Sequence, residues 1–250
     1  MKRLFLMICA TVAMFAMNDT VWAQEENGDE KLSVSVDVAS GFVWRGLANN
    51  MAPVVQPSIT FKPGKFSIGT WASIPFVFES PFETPQELDI FAEYEISSEF
   101  KIGITDYFVY ANWREDDYYF NYEKEKTCHA LDLMLMYESV GGFKAMLSTI
   151  IAGGDLKVDS KGKATNNFST YLELGYGSTF NKVDWDVCLG TVFNESPEFY
   201  ETSGFSVVNI GLGVSKNFVI TPTYTLPLSL KFTVNPRLES AFLVASVTLF

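Results

Sequence analysis

Apolar and polar residues alternate with a period of two along most of the chain that follows residue 24. Between residues 86 and 97, for example, Leu88, Ile90, Ala92 and Tyr94 are separated mostly by acidic residues. Successive side chains of a β-strand point to opposite faces, so this pattern predicts strands with one apolar and one polar face. The alternating segments are longer than the roughly five or six residues of an ordinary soluble strand.

Twelve segments show this alternation, and tight turns rich in Gly, Pro, Asn and Ser separate many of them. The predicted strands are 32–46, 54–62, 65–76, 86–97, 99–108, 127–138, 142–152, 167–178, 182–193, 205–216, 223–234 and 240–250. Short connections alternate with mostly longer ones, as in bacterial outer-membrane barrels. Lipid offers no partners to backbone groups, so a membrane sheet must close on itself. We therefore predict an all-β, antiparallel, up-and-down transmembrane barrel of about twelve strands, with periplasmic short turns and extracellular long loops.

The first 23 residues have the layout of a targeting segment. Lys2 and Arg3 precede an apolar run from Leu4 to Met17, and 21–23 is a Val-Trp-Ala segment. This layout predicts a signal peptide at 1–23, cleaved before an outer-membrane barrel at 24–250. The expected location is the outer membrane of a Gram-negative bacterium.

The segment 40–46, Ser-Gly-Phe-Val-Trp-Arg-Gly, closes the predicted first strand. It is similar to the Phe- or Tyr-Val-Trp-Arg-Gly segment found near the start of TorF-type porins. The segments 103–107, 226–228 and 235–236 look like further landmarks of that family. This resemblance implies a small outer-membrane barrel with a porin-like role. It implies neither catalytic residues nor a defined substrate.

Charge adds a prediction about what the barrel lets through. The 250 residues include 18 basic and 30 acidic ones, a net charge of −12, which excludes nucleic acid as a partner. Residues of inward parity that are candidates to line a pore are Asp37, Arg45, Glu87, Asp89, Glu93, Glu95, Lys101, Asp132, Lys144, Glu173, Asp184, Asp186 and Lys231. Because acids dominate this set, we expect passive diffusion of small polar solutes with a preference for cations.

A second interpretation has the same fold but a closed lumen. Twelve strands enclose little space, and Arg45, Lys101, Lys144 and Lys231 are able to pair with acids inside it. The barrel would then be a structural or surface protein whose long loops contact a partner. The sequence leaves both interpretations open.

The segment 107–126 is unusually aromatic and also carries many charges. Aromatic faces beside polar groups suit stacking on flat ligands or sugars. Candidate ligand contacts in this loop are Tyr110, Trp113, Arg114, Tyr118 and Tyr119. The alternative, which we prefer, is an extracellular hairpin that packs on itself or on the mouth of the barrel.

No pattern in the chain predicts an enzyme, a cofactor site or a metal site. His129 is the single histidine, and residue 131 is leucine, so the His-x-Ser pattern of outer-membrane phospholipases is absent. Cys128 and Cys188 lie on segments that we do not expect to be neighbours, which favours two thiols over a disulfide.

The chain ends in an aromatic residue, Phe250, on an alternating strand. Outer-membrane barrels commonly end this way for recognition by the barrel-assembly machinery, so we expect that machinery and membrane lipid as partners. The facing of this strand is ambiguous. Leu243 and Val247 lie on one parity and Phe242 and Val244 on the other.

Overall fold

The computed structural model describes residues 31–76, 85–110 and 118–250. The predicted signal peptide lies outside the described residues. Within this part of the chain the regular structure consists of β-strands, and no helix is long and apolar enough to cross a membrane.

Eighteen strands occur in the described residues. In chain order they are β1 (Leu32–Ala39), β2 (Phe42–Trp44), β3 (Leu47–Asn50), β4 (Val54–Phe61), β5 (Phe66–Pro75), β6 (Gln86–Glu95), β7 (Phe100–Tyr110), β8 (His129–Glu138), β9 (Phe143–Gly153), β10 (Leu156–Val158), β11 (Ala164–Asn166), β12 (Thr170–Phe180), β13 (Val183–Val192), β14 (Glu195–Ser196), β15 (Thr202–Ser203), β16 (Ser206–Thr221), β17 (Tyr224–Asn235) and β18 (Ser240–Thr248).

Twelve of these strands form one closed antiparallel barrel, which confirms the predicted fold. The order around the wall is β1, β18, β17, β16, β13, β12, β9, β8, β7, β6, β5 and β4. The remaining strands form three separate two-stranded hairpins, β2–β3, β10–β11 and β14–β15. The seam between the first and last strands is short. It pairs Asp37 with Thr248 and Ala39 with Ser246, and the Phe250 carbonyl accepts a hydrogen bond from the Val36 amide at 3.0 Å.

Pairing register assigns one face of each wall strand to the outside. Ile90 of β6, Leu133 of β8 and Leu212 of β16 belong to the outward set, and each is more than 40% exposed. The inward set is largely polar, as in the hydrogen bond between the hydroxyls of Ser35 and Ser58. An exterior this apolar is unfavourable in water and suits the hydrocarbon of a bilayer.

The register also settles which way β18 faces. Leu243 pairs with Phe232, and Val247 pairs with Leu228, all on the outward set. Phe242 and Val244 therefore point inward.

The two ends of the barrel differ. Tight turns 62–65, 96–99, 139–142, 181–182 and 222–223 lie at one end, here called the short-turn end. The other end, called the long-loop end, is where β1, β5, β7, β9, β13 and β17 end, and it holds the described connections 40–53, 118–128, 154–169, 193–205 and 236–239. Both β1 and β18 have their terminal residues at the short-turn end.

Candidate functional site: a hairpin inside the barrel

The first long connection folds into the barrel as the hairpin β2–β3, here called the plug (residues 42–50). Trp44 pairs with Leu47 across a two-residue turn in which Arg45 has φ +47° and Gly46 has φ +87°. Positive φ at both central residues is the geometry of the type I′ turn, which matches the twist of the strands it joins. Arg45 was predicted on a first strand spanning 32–46, and that boundary is wrong. The wall strand ends at Ala39, and Arg45 lies at the tip of the plug.

The plug contacts the wall on the side of β5 and β6. The Phe42 ring lies 5.1 Å from the ring of Trp71, centroid to centroid. The Asn49 amide donates a hydrogen bond of 3.0 Å to the Glu87 carboxylate. These contacts fix the two strands of the plug against one side of the lumen.

The tip of the plug touches the opposite side of the wall. The side-chain amide of Asn235 on β17 donates to the Gly46 carbonyl at 3.1 Å. A Cβ placed on Gly46 would lie only 1.8 Å from the carbonyl oxygen of Val208 on β16, so no larger residue fits there. The plug therefore extends across the whole lumen near the long-loop end.

Arg45 is the most completely bonded residue of the plug. Its guanidinium donates at 2.8 Å to the Asp132 carboxylate, to the Ser148 hydroxyl and to the Tyr200 hydroxyl. Asp132 is fully buried and also accepts hydrogen bonds from Ser148 and Tyr107. A buried ion pair with this many hydrogen bonds satisfies both charges away from water.

The guanidinium of Arg45 lies over two aromatic rings. Its carbon lies 4.5 Å from the ring centroid of Trp44 and 4.9 Å from that of Tyr171. Tyr200 stacks against both rings, at 5.5 Å from Trp44 and 5.7 Å from Tyr171. A planar cation between ring faces gains a cation–π contribution that is larger when water is excluded.

Tyr200 reaches this cluster from the loop that contains β14 and β15, so a second long connection also closes over the lumen. Burial raises the pKa of Tyr200 to about 12. Its hydroxyl is therefore neutral at physiological pH and accepts the hydrogen bond from Arg45. The long-loop half of the lumen is filled by this cluster and by Val192 and Val208, which are fully buried.

The short-turn half of the lumen is different because charged side chains there remain partly exposed. Lys62 pairs with Glu95 at 2.7 Å, and Lys144 pairs with Glu138 at 2.8 Å. All four side chains are at least 30% exposed. This half is a polar, wetted vestibule below the plug.

Register gives the position of every residue that the sequence nominated for the pore. Those with inward parity on wall strands are Asp37, Glu87, Asp89, Glu93, Glu95, Lys101, Asp132, Lys144, Glu173, Asp184, Asp186 and Lys231. Glu87 and Asp89 are buried under the plug. One carboxylate oxygen of Asp89 has no hydrogen-bond partner among the described residues.

Of the aromatic loop candidates, Tyr110 and Tyr119 both have their rings near that of Phe108, at 6.5 and 5.1 Å. Trp113 and Arg114 lie outside the described residues. Tyr110 ends β7, and Tyr118 is exposed. Tyr119 also packs its ring 5.0 Å from His129 on the outside of the wall.

His129 belongs to an outer cluster that sequence reasoning missed. Its Nδ1 lies 2.9 Å from the Asp106 carboxylate, and its Nε2 lies 2.5 Å from the Tyr119 carbonyl oxygen. The rings of Tyr122 and Phe108 lie 4.5 and 4.8 Å from the imidazole. The only available signal was that Asp106 and His129 interrupt an otherwise apolar parity on neighbouring strands.

Metal-ligand geometry and disulfide bonding were the remaining features that the sequence raised. They contain no group of three or more His, Cys, Asp or Glu side chains placed to hold a metal ion. No disulfide joins Cys128 to Cys188.

Comparison with known proteins places the chain in a family. No curated protein matches it. Similar solved structures include the NanC porin in a rhombohedral crystal form, with a TM-score of 0.46, 7% identity, and coverage of 86% of this chain and 98% of that one. A porin refined at 1.8 Å gives a TM-score of 0.35 and 15% identity over 80% of this chain and 61% of that one. A structure from work on in-meso crystallization of membrane proteins gives a TM-score of 0.43 and 9% identity, and the match covers 87% of this chain and 82% of that one.

These identities and TM-scores are too low to say what this chain binds or carries. The family match is of another kind, because it extends over residues 23–225, which is most of the chain and includes the plug. The chain therefore belongs to Gcw_chp, a family of bacterial proteins of unknown function.

Proposed function

We propose that this protein is a porin-like channel of the Gram-negative outer membrane that admits small polar solutes when its plug moves. The observation that carries the proposal is a closed barrel with an apolar exterior and a charged vestibule, blocked across the lumen by the plug together with Tyr200 of a second loop. The long loops would be extracellular and the short turns periplasmic, as in other outer-membrane barrels. The resemblance to TorF-type porins supports the same role.

The plug is attached in a way that permits movement without opening the wall. Its strands pair only with each other, and it joins the wall through short segments at residues 40–41 and 51–53. The wall strands β1 and β4 pair with each other over eight residues, from Leu32 with Phe61 to Ala39 with Val54. The barrel therefore remains hydrogen-bonded at this point when the plug leaves its seat.

Charge in the lumen favours cations. Inward acids outside the ion pairs described above are Asp37, Glu87, Asp89, Glu93, Glu173, Asp184 and Asp186, whereas Lys101 and Lys231 are the inward bases that form no ion pair with a described residue. Carboxylates in a narrow, low-dielectric channel focus a negative potential, which attracts cations. Transport would be passive diffusion without turnover.

One observation favours the second candidate, a permanently closed structural or surface-interaction barrel. Arg45 fixes the plug through three hydrogen bonds to wall and loop, and Tyr171, Val192 and Val208 are fully buried around it. A lumen filled this tightly conducts nothing at rest. The two candidates differ in whether removing the plug yields an ion-conducting pore.

Conductance in a planar bilayer is the deciding measurement. Residues 42–50 are to be replaced by Gly-Ser-Gly, because the bases of the hairpin meet where Phe42 pairs with Asn50. The matched control shortens β10–β11 in the same way, replacing residues 157–165, since that hairpin lies at the same end of the barrel. We expect large steady currents from the plug deletion, rare openings of the unmodified protein and no change in the control.

A correctly folded plug deletion that carries no current would refute the channel and support the closed barrel. Folding is checked independently in two ways. Unboiled protein should migrate differently from boiled protein on SDS gels, and its circular dichroism spectrum in detergent should be rich in β-structure.

The cation preference is tested on the plug-deleted barrel. Glu87→Gln, Asp89→Asn, Glu93→Gln and Glu95→Gln together remove four inward carboxylates from β6. We expect the reversal potential under a salt gradient to move toward zero in this variant, because the pore selects less between cations and anions. Raising the ionic strength should also weaken the cation preference of the plug-deleted barrel that keeps these four carboxylates. The Debye length is about 3 Å at 1 M salt, so the carboxylates are then largely screened. Anion preference of the parent would contradict the assignment.

A further inference from the structure

Most of the groups that surround the Arg45 guanidinium come from the wall and not from the plug. Tyr107, Asp132, Ser148 and Tyr171 point inward from four neighbouring strands, β7, β8, β9 and β12, and all are at least nine-tenths buried. Without Arg45, the Asp132 carboxylate would keep hydrogen bonds only from neutral hydroxyls of Ser148 and Tyr107. With the plug seated, a carboxylate buried this deeply is strongly unfavourable without a counter-charge, so the closed lumen requires a cation at this point.

The backbone conformation of Arg45 indicates that arginine occupies this turn position because of its guanidinium, since the turn itself favours other residues. The first position of a type I′ turn favours Asn, Asp or Gly because φ is positive there. Arginine at φ +47° is sterically unfavourable, and the contacts of its side chain must outweigh that penalty. The side chain places its cation in the wall site at the end of a strained turn.

The shape of the site is specific for a planar cation. The guanidinium lies over the rings of Trp44 and Tyr171, and its two terminal nitrogens donate to three oxygens, those of Asp132, Ser148 and Tyr200. An ammonium group is a compact point charge and cannot stack on two rings while donating along its edge. The geometry therefore fits guanidinium better than a lysine-like amine.

We propose that Arg45 is a tethered occupant of a guanidinium-binding site in the lumen, and that small solutes carrying a guanidinium group compete for this site and release the plug. This inference rests on the proposed function, because it names the class of solute that would open the channel. Competition requires high solute concentrations, since a tethered group has an effective concentration in the millimolar range or above.

The first test is binding, which needs no current. Arg45→Gly removes the guanidinium and suits the positive φ of the turn, so the plug keeps its shape and Trp44 stays in place. On SDS gels the folded barrel and the heat-unfolded chain migrate differently, which gives the temperature of unfolding. We expect this variant to unfold at a lower temperature than the unmodified protein. Guanidinium chloride at about 10 mM should restore several degrees, because a ligand that binds only the folded state stabilises it.

Three controls make this result specific. Sodium chloride at the same concentration tests ionic strength, and urea tests a planar molecule without charge. The variant Arg45→Gly with Asp132→Asn removes the counter-charge and should lose the response to guanidinium. An equal response in this double variant, or in the protein that keeps Arg45, would overturn the proposal.

The second test uses the unmodified protein in a planar bilayer, so it holds even where Arg45→Gly does not assemble. Guanidinium chloride should increase the frequency of openings at least several-fold over sodium chloride of equal ionic strength, and Asp132→Asn should abolish the difference. No increase would overturn the competition. Failure of the channel itself is recognised separately, since the plug deletion tests the current, whereas the thermal response to guanidinium is measured on Arg45→Gly and needs no current.

Discussion

Two pairs of a basic and an acidic side chain lie on opposite faces of the same wall. Inside, Arg45 pairs with Asp132 and is flanked by Trp44 and Tyr171. Outside, His129 at the start of β8 pairs with Asp106 and is surrounded by aromatic rings. Both pairs hold a loop against the barrel, the inner one the plug and the outer one the segment 118–126.

The difference between the pairs lies in burial and in permanence of charge. Asp132 is completely buried, whereas 23% of the Asp106 side chain is exposed. The guanidinium is always protonated, whereas an imidazole changes its charge near neutral pH. The inner pair therefore fixes a loop that crosses the lumen. The outer pair fixes a loop to the outer surface, and we expect it to contribute less to the free energy of unfolding.

The largest expected effect comes from removing the acid of the inner pair. Asp132→Ala leaves Arg45 as an uncompensated buried charge, which costs about 3–5 kcal/mol. We expect a marked fall in the temperature at which the folded gel form is lost. Asp132→Ala with Arg45→Ala should recover part of that loss, because the double variant contains no unpaired charge. Asp184→Ala in the exposed vestibule is the matched control and should be nearly neutral.

The next effect concerns the seat of the plug. Gly46→Ala places a Cβ against the Val208 carbonyl, so the tip must withdraw from the wall. Gly64→Ala is the control, because Gly64 also has positive φ (+73°) and a Cβ there meets nothing within 4 Å. Both variants incur the penalty of roughly 1–2 kcal/mol for a side chain in the left-handed region. Only Gly46→Ala should raise bilayer conductance, and equal conductance in the two would show that the plug is not seated by Gly46.

The smallest effect is expected for the outer pair. Asp106→Asn removes the charge but keeps the aromatic contacts of His129, so we expect a loss of about 1 kcal/mol. Thermal loss of the folded gel form measures this, and bilayer conductance should be unchanged. A destabilisation as large as that of Asp132→Ala would break the distinction between the two pairs.

The barrel was predictable because its determinants are local. Alternation such as that of Leu88, Ile90 and Ala92 follows directly from the geometry of a strand between lipid and lumen. The same alternation ended β16 at 216 instead of Thr221, and it misled more seriously at the first strand. Phe42 and Trp44 continue the period of the first strand, so nothing in the pattern showed that the wall ends at Ala39 and the chain turns inward.

The sequence by itself determined a strand number of about twelve, the closed antiparallel fold and the facing of most wall strands, though not of β18, because a period of two is a property of neighbouring residues. Only the tertiary structure decided what those faces meet. Arg45 and Asp132 are 87 residues apart, and Arg45 and Tyr200 are 155 apart. Their contact depends on the path of a loop and on the closure of the barrel, which bring distant strands to the same level of the lumen. Parity assigns a side chain to the inside, but only three-dimensional packing selects its partner.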